Sequence, residues 1–314
     1  METQKNIYEV LELRAKNACG GLDRLEAYHV GGEKVLFKPT KTGLCALSEV
    51  FHSNLAMKLG LPTVKNRLAH RHTDDKSVGG IATKKATRGN QRLVDLNLYS
   101  IYRTDNEAVC HARDTMFDAW NYFRNRLSRH SYFQNIKLET IMEEIFSEQS
   151  PKFKEDFIKT WFTSHIFANL DQVRGDNVFL VVSPDNELID GAISLDFELC
   201  EVFAKHTEYT NRHCDNACHE IVMKGMNPEN ISFIKKHFKS TAEEVFDNMQ
   251  TMKSSPELVK LCDFKGVDFA SFGAGVRLSD VKYRKRDPKL SRLSEEALAF
   301  YQKRFDFLTK QYVK

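Results

Sequence analysis

The chain has 314 residues with 46 Lys and Arg against 43 Asp and Glu, a net charge of +3, which excludes the one-signed field of a bulk nucleic-acid binder. Hydrophobic residues at 41% and charged ones at 28% exclude a disordered composition, and no apolar run approaches the ~20 residues of a membrane span. The length suits one large domain or two lobes of roughly 100–200 residues each.

Met1 to Asn17, "METQKNIYEVLELRAKN", has the pattern of a charged amphipathic helix without an apolar signal core, which argues against export by the general signal-peptide route. Seven cysteines, an odd number scattered along the chain, read as reduced thiols in a cytoplasmic protein. "LDRLEAYHV" and "EKVLFKP" flank Gly31-Gly32 and predict a β-hairpin. "ALSEVFHSNLAMKLG" places Leu47, Val50, Phe51, Leu55 and Leu59 at helical spacing and stops at Gly60 and Pro62. Two more strands, "TVKNRLAHRH" and "GGIATKKA", follow across a polar turn at Thr73 to Asp75. Hairpin, helix and two strands make residues 1–95 a small β-rich lobe with one helix.

Residues 96–314 predict a larger, mostly helical lobe. "NEAVCHARDTMFDAWNYFRNRL", "KLETIMEEIF", "KFKEDFIKTWFTSHIFANL" and "SEEALAFYQKRFDFLTKQYV" all carry helical periodicity, with Trp161, Phe162, Ile166 and Phe167 as core. One strand pair, "NVFLVVS" and "ELIDGAISLDF", interrupts them. The loop before it holds Asp171, Asp176 and Asn177, and its second strand runs into Asp196, so Asp171, Asn177 and Asp196 fall at one edge. The fold class expected is α+β, two-lobed and protein-kinase-like.

Those oxygens suit phosphoryl transfer from a nucleotide, which needs a cation on the phosphates, oxygen ligands for Mg²⁺ and a carboxylate near the attacking hydroxyl. Lys38, ending the strand "VLFK", supplies the cation, and Glu49 on the next helix is placed to pair with it. Asp171 is the candidate base; Asn177 and Asp196 are candidate metal ligands.

The order "FKP…E…LGLP…NLDxxxGDNVFL…LDF", over roughly Cys19 to Cys200, resembles the HipA-like kinases and the related phosphatidylinositol 4-kinases. Within that family it is most similar to the compact stand-alone bacterial members, a cell-translocating kinase among them. The resemblance implies ATP and Mg²⁺ as cofactors and transfer of the γ-phosphate to Ser or Thr of a protein substrate. It implies that Lys38 contacts the α- and β-phosphates, that Glu49 holds it, and that Asp171 orients the acceptor hydroxyl. Asn177 and Asp196 then hold Mg²⁺. Gly20 and Gly21 of "NACGGL" stand at the phosphate loop, and "KKATRGNQRLVDL", similar to the hinge, makes Lys85 and Asp95 nucleotide contacts. An antitoxin or a host protein is the implied partner, and passage into a host cell by a specialised secretion system the implied route.

The chain departs from the family in three places. The Asp171–Asn177 loop is one residue longer, which makes Asp176 a third candidate metal ligand. Gln172 stands where Arg or His is usual, with Arg174 as its substitute, and "NACGGL" lacks the regulatory serine. Within the fold a phosphoinositide kinase is the rival reading, although no membrane-facing element is evident; AMP transfer and simple binding are the others. "HCDNACH" offers Cys214 and Cys218 one helical turn apart, but no second pair stands at zinc-finger spacing, so helical burial is the reading. "KYRKRDPK" reads as a solvated basic loop.

Overall fold

The computed structural model describes residues 7–14, 18–22, 25–40, 42–72, 77–87, 91–95, 149–169, 177–183, 189–198, 200–204, 228–267, 272 and 289–313. The chain packs as two compact units that do not follow chain order. The first comprises Met1–Ala86, Asp196–Asp215 and Asp247–Asp306; the second comprises Thr87–Leu195, Asn216–Phe246 and Phe307–Lys314.

A six-stranded sheet organises the first unit. Its strands are β1 (Leu11–Arg14), β2 (Ala18–Leu22), β3 (Leu25–Val30), β4 (Glu33–Pro39), β5 (Asn66–His72) and β6 (Ser77–Lys84), ordered β1-β5-β6-β4-β3-β2. The expected hairpin is β3–β4, with Gly31 and Gly32 at φ of 58° and 82°, the two positive angles that a tight primed turn demands. Leu13, Tyr28, Val35, Phe37, Ala69 and Ala82 form a buried cluster on the sheet.

Two local expectations need correction. The amphipathic helix read into Met1 to Asn17 is, where described, a turn followed by β1, which pairs parallel with β5. "LELR" alternates as well as it coils: Leu13 is buried while Glu12 and Arg14 stay exposed, and pairing with the sheet edge overrides the helical pattern. Gly20 and Gly21, expected in a loop, lie in β2, whose ladder to β3 shifts register between Ala18 and Gly21. Glycine suits such an irregularity because it has no side chain to pack.

Helix α1 (Gly43–Lys58) is buried nearly all round, from Gly43 through Ser53 and again at Leu55 and Ala56. Thr42 caps it by accepting the Cys45 N–H at 3.2 Å. At the other end Gly60, φ 70°, donates to the Met57 carbonyl and Leu61 to the Ala56 carbonyl, the double bond of a Schellman stop. Around α1 sit α3 (Glu201–Ala204), α6 (Pro256–Leu261) and part of α7 (Leu290–Val313). The Phe51 ring meets Phe203, Phe264 and Tyr301 at centroid distances of 5.7, 5.6 and 5.4 Å. Each such buried ring contributes roughly 1.5–3 kcal/mol.

In the second unit β7 (Arg92–Asp95), β8 (Val178–Val182) and β9 (Ile189–Ser194) form an antiparallel sheet in that order. The pair β8–β9 was expected; β7 is an addition, supplied by the segment read as a hinge. Helix α2 (Pro151–Phe167) packs on β9, and its Trp161, Phe162, Ile166 and Phe167 are core as expected. Ser150 caps its first turn and Ala168, φ 49°, ends it. Helices α4 (Pro228–His237) and α5 (Lys239–Lys253) complete the elements, with Phe246 stacked on Tyr312 at 4.4 Å. The helical stretches expected at 106–127 and 137–146 lie outside the described residues, as do "HCDNACH" and residues 282–288. Among the described residues, no helix is long and apolar enough to cross a membrane.

Candidate functional site

Strand alternation decides where Lys38 points. Val35 and Phe37 of β4 enter the sheet's buried cluster, so Lys38 emerges on the other face. Opposite it runs β6, with Lys38 paired to Ile81 and Pro39 to Gly80. A Cβ built on Gly80 would stand 2.3 Å from the Lys38 carbonyl oxygen, so glycine is what lets β6 approach the lysine's backbone.

Lys38 Nζ lies 3.0 Å from Glu49 Oε1, 3.0 Å from Asp196 Oδ2 and 3.3 Å from Glu198 Oε1. All four residues belong to the first unit. Glu49, on α1, is only 1% exposed, and its carboxylate is saturated with donors. Lys38 reaches Oε1, while Oε2 accepts the Phe197 N–H at 3.0 Å and the Asn66 Nδ2–H at 3.4 Å. Thr83 in turn fixes the Asn66 amide by donating to Oδ1 at 2.8 Å. The three carboxylates each offer an oxygen within 4.8 Å of the others, a set able to hold a metal ion.

Three carboxylates share one ammonium, and the electrostatics follow from that mismatch. Burial works against the charge on Lys38, but Glu49, Asp196 and Glu198 outweigh it and hold the amine protonated far above its ordinary range. Burial pushes the Glu49 carboxyl up, with Asp196 and Glu198 adding to the rise, while Lys38 and the Phe197 N–H pull it down. The two directions are compatible: with Lys38 already spent, the excess negative charge favours a proton on the most buried carboxylate or a cation among the three.

Asp196 adopts φ 59°, the left-handed region that side chains other than Asn and Asp rarely enter. Asn177 does the same at φ 63°, immediately before β8, and its carbonyl accepts the Leu195 N–H at 3.0 Å. A non-glycine residue held in that region is a common mark of functional sites.

The structure thus brings Lys38, Glu49 and Asp196 together. Asn177 belongs to the second unit, as does Asp95, which ends β7 opposite Phe179. Gly21 pairs with Glu26, and Lys85 directly follows β6. Asp171 and Asp176 lie outside the described residues. Sequence reading missed Glu198, which stands two residues beyond Asp196 in "LDFEL", past the end of β9, and reaches the same ammonium.

No family model and no curated protein matches the chain. A solved structure does: a Helicobacter pylori proinflammatory kinase, CtkA, at 12% identity, 97% of this chain and 98% of that one covered, with a TM-score of 0.52. The chain has a kinase fold. At that identity the likeness carries the α+β, kinase-like architecture expected from the sequence, and it runs through the whole of both chains.

Proposed function

We propose that this protein is an ATP- and Mg²⁺-dependent kinase that transfers the γ-phosphate to a Ser or Thr of a protein substrate. The observation that carries the reading is the Lys38 ammonium held among Glu49, Asp196 and Glu198, on a fold shared with a kinase. On this reading residues 1–95 and 96–314 are the two lobes, and the HipA-like resemblance reflects kinship. An antitoxin or host protein stays within the proposed partners, and delivery into a host cell within the proposed biology.

Each residue then has a task. Glu49, fixed by Phe197 and Asn66, holds Lys38 extended from β4 toward the α- and β-phosphates. The carboxylates of Asp196 and Glu198 suit a hard divalent cation, with the Asn177 amide and Asp176 as the further oxygen ligands. Mg²⁺, when bound, neutralises charge on the phosphate oxygens. Lys38 leaves Asp196 for the phosphates as the nucleotide enters, which frees a carboxylate oxygen. Asp171 orients the acceptor hydroxyl and takes its proton. Gly20 and Gly21 cover the phosphates, and Lys85 and Asp95 flank the base.

The test uses ATP labelled separately at the α and γ positions, with protein substrates read by mass spectrometry. Label from the γ position on Ser or Thr is the expected result. Label from the α position would replace phosphate transfer by AMP transfer. Label on a phosphoinositide would move the acceptor to lipid, and no label on any acceptor would end the kinase reading.

A further inference from the structure

The residue between the two half-buried carboxylates, Asp196 and Glu198, is gripped at both of its backbone groups. Phe197 donates its N–H to Glu49 Oε2 at 3.0 Å, and its carbonyl accepts the hydroxyl of Ser48, the neighbouring residue of α1. The first bond holds the Asp196–Phe197 peptide and the second the Phe197–Glu198 peptide. Both candidate ligands therefore hang from peptides tied to one turn of one helix.

Ser48 does not stand alone. His52 lies one turn further along α1, with Nδ1 2.7 Å from the Ser48 carbonyl oxygen and 3.1 Å from its hydroxyl. A carbonyl only accepts, so Nδ1 carries the proton; Nε2 is then the acceptor and takes the Tyr301 hydroxyl proton at 2.5 Å. Burial, only partly opposed by the Ser48 carbonyl, holds His52 neutral, with its pKa lowered to about 3. The donors run one way: Tyr301 to His52, His52 Nδ1–H shared between the Ser48 carbonyl at 2.7 Å and the Ser48 hydroxyl at 3.1 Å, and that hydroxyl to the Phe197 carbonyl, so the chain continues through the longer branch of the shared bond. Hydrogen bonds aligned in this fashion strengthen one another. Ser48, His52, Phe197 and Tyr301 are all fully buried.

We propose that Ser48, His52 and Tyr301 form a buried hydrogen-bond relay that positions Asp196 and Glu198 for a divalent cation. The three are positioning residues and touch neither nucleotide nor metal. Asp196 is held in the left-handed region, where the backbone would otherwise relax, and the relay is the restraint that acts from beneath. Its far end is on α7, so the closing helix of the chain sets the geometry of carboxylates that follow β9. The proposal rests on the reading that these carboxylates hold a cation.

The experiment measures Mn²⁺ binding by electron paramagnetic resonance on the full chain without nucleotide, so the readout does not depend on turnover. Ser48→Ala is expected to weaken Mn²⁺ affinity by about 10–100-fold, the usual cost of losing an outer partner of a metal site. Tyr301→Phe, which removes only the hydroxyl, is expected to weaken it by less. The double variant should be no worse than Ser48→Ala, because both cuts fall on one chain of bonds. Val35→Ala, in the sheet's buried cluster, controls for stability and should leave Mn²⁺ affinity unchanged. The relay is overturned if both single variants bind Mn²⁺ within twofold of wild type, if their effects add, or if Val35→Ala weakens Mn²⁺ as much. Wild-type protein that binds no Mn²⁺ overturns it as well, whereas Mn²⁺ binding without phosphate transfer removes the kinase reading and leaves the relay.

Discussion

Glu49 accepts the backbone N–H of Phe197 across 148 residues of sequence, at 3.0 Å, while its other oxygen holds Lys38. One buried carboxylate thus fixes a strand's lysine and the peptide beside Asp196 together. Glu49→Gln keeps the size of the group but removes the charge that holds the ammonium. Fold stability should fall by about 1–3 kcal/mol, because the amide NH₂ sets a buried donor against the donors of Lys38 or of Phe197 and Asn66. Turnover should fall by about 10²-fold, the scale of losing one preorganised electrostatic contact. Urea unfolding and steady-state kinetics on the same preparation check both halves.

Gly80 and Gly191 predict opposite tolerance to alanine. At Gly80 the new Cβ meets the Lys38 carbonyl oxygen at 2.3 Å and the Pro39 Cα at 2.9 Å, and backbone cannot step aside. Gly80→Ala should cost about 1–3 kcal/mol or more, as overpacking does. At Gly191 the Cβ meets only the tip of the Asp156 carboxylate at 2.7 Å, which can swing away. Gly191→Ala should stay within ~1 kcal/mol of wild type. Equal losses in chemical denaturation would contradict the packing described for β4 and β6.

Much of this is legible in the sequence, and the pattern of what is not is physical. The hairpin around Gly31-Gly32 and the stop of α1 at Gly60 rest on local backbone chemistry, which a sequence states directly. Lys38, Glu49 and Asp196 were legible as a motif order, since each stands on an element with a clear period. Glu198 was not, because one acidic residue in a turn gains meaning only from the lysine beside it. Ser48, His52 and Tyr301 were illegible for the same reason: their partners are remote, and on a helix they read as ordinary core. The N-terminal segment was misread because "LELR" fits two periods, and a sheet edge elsewhere in the chain decided between them.

Acid should reveal His52. Burial lowers its folded pKa to about 3, while an unfolded histidine titrates near ~6.5. Between those values the unfolded chain takes a proton that the folded one refuses. The contribution to stability is complete above about pH 6.5 and lost as pH falls toward 3, with a slope of up to ~1.4 kcal/mol per unit. His52→Gln should flatten that part of the profile. Unfolding curves at pH 7, 6, 5 and 4 for the two proteins give the comparison, and parallel profiles would show that His52 does not titrate in this way.

Asp196 should tolerate amide better than methyl in its backbone conformation. Its φ of 59° suits Asp and Asn, whereas Ala there bears a left-handed penalty of about 1–2 kcal/mol. Asp196→Asn should therefore fold nearly as wild type, and Asp196→Ala should be less stable by about that amount. Both should lose metal-dependent nucleotide binding. Calorimetry with and without Mg²⁺ measures it, and full binding by either variant would take Asp196 out of the site.

On the proposed reading Asp171 and Asp176 compete for one role, because the sequence from Asp171 to Asn177 is one residue longer than the HipA-like pattern it resembles. If Asp171 is the base, Asp171→Asn should slow phosphate transfer by about 10²–10⁴-fold with nucleotide affinity kept. Asp176→Asn should disturb metal dependence instead. Rates and affinities measured on the two variants side by side assign the roles, and an active Asp171 variant beside a dead Asp176 variant would exchange them.

The first unit also imposes an order of events on synthesis. Helix α1, made early, is sealed by Phe264 and Tyr301, and the His52–Tyr301 bond spans 249 residues. At ~5–20 residues per second a ribosome takes roughly 12–50 s to cover that interval. Through all of it α1, buried nearly all round in the finished fold, waits for the last part of its cover. A stop codon before Tyr301 therefore releases a chain whose α1 keeps Phe203 and Phe264 against Phe51 but lacks the ring and hydroxyl that seal His52.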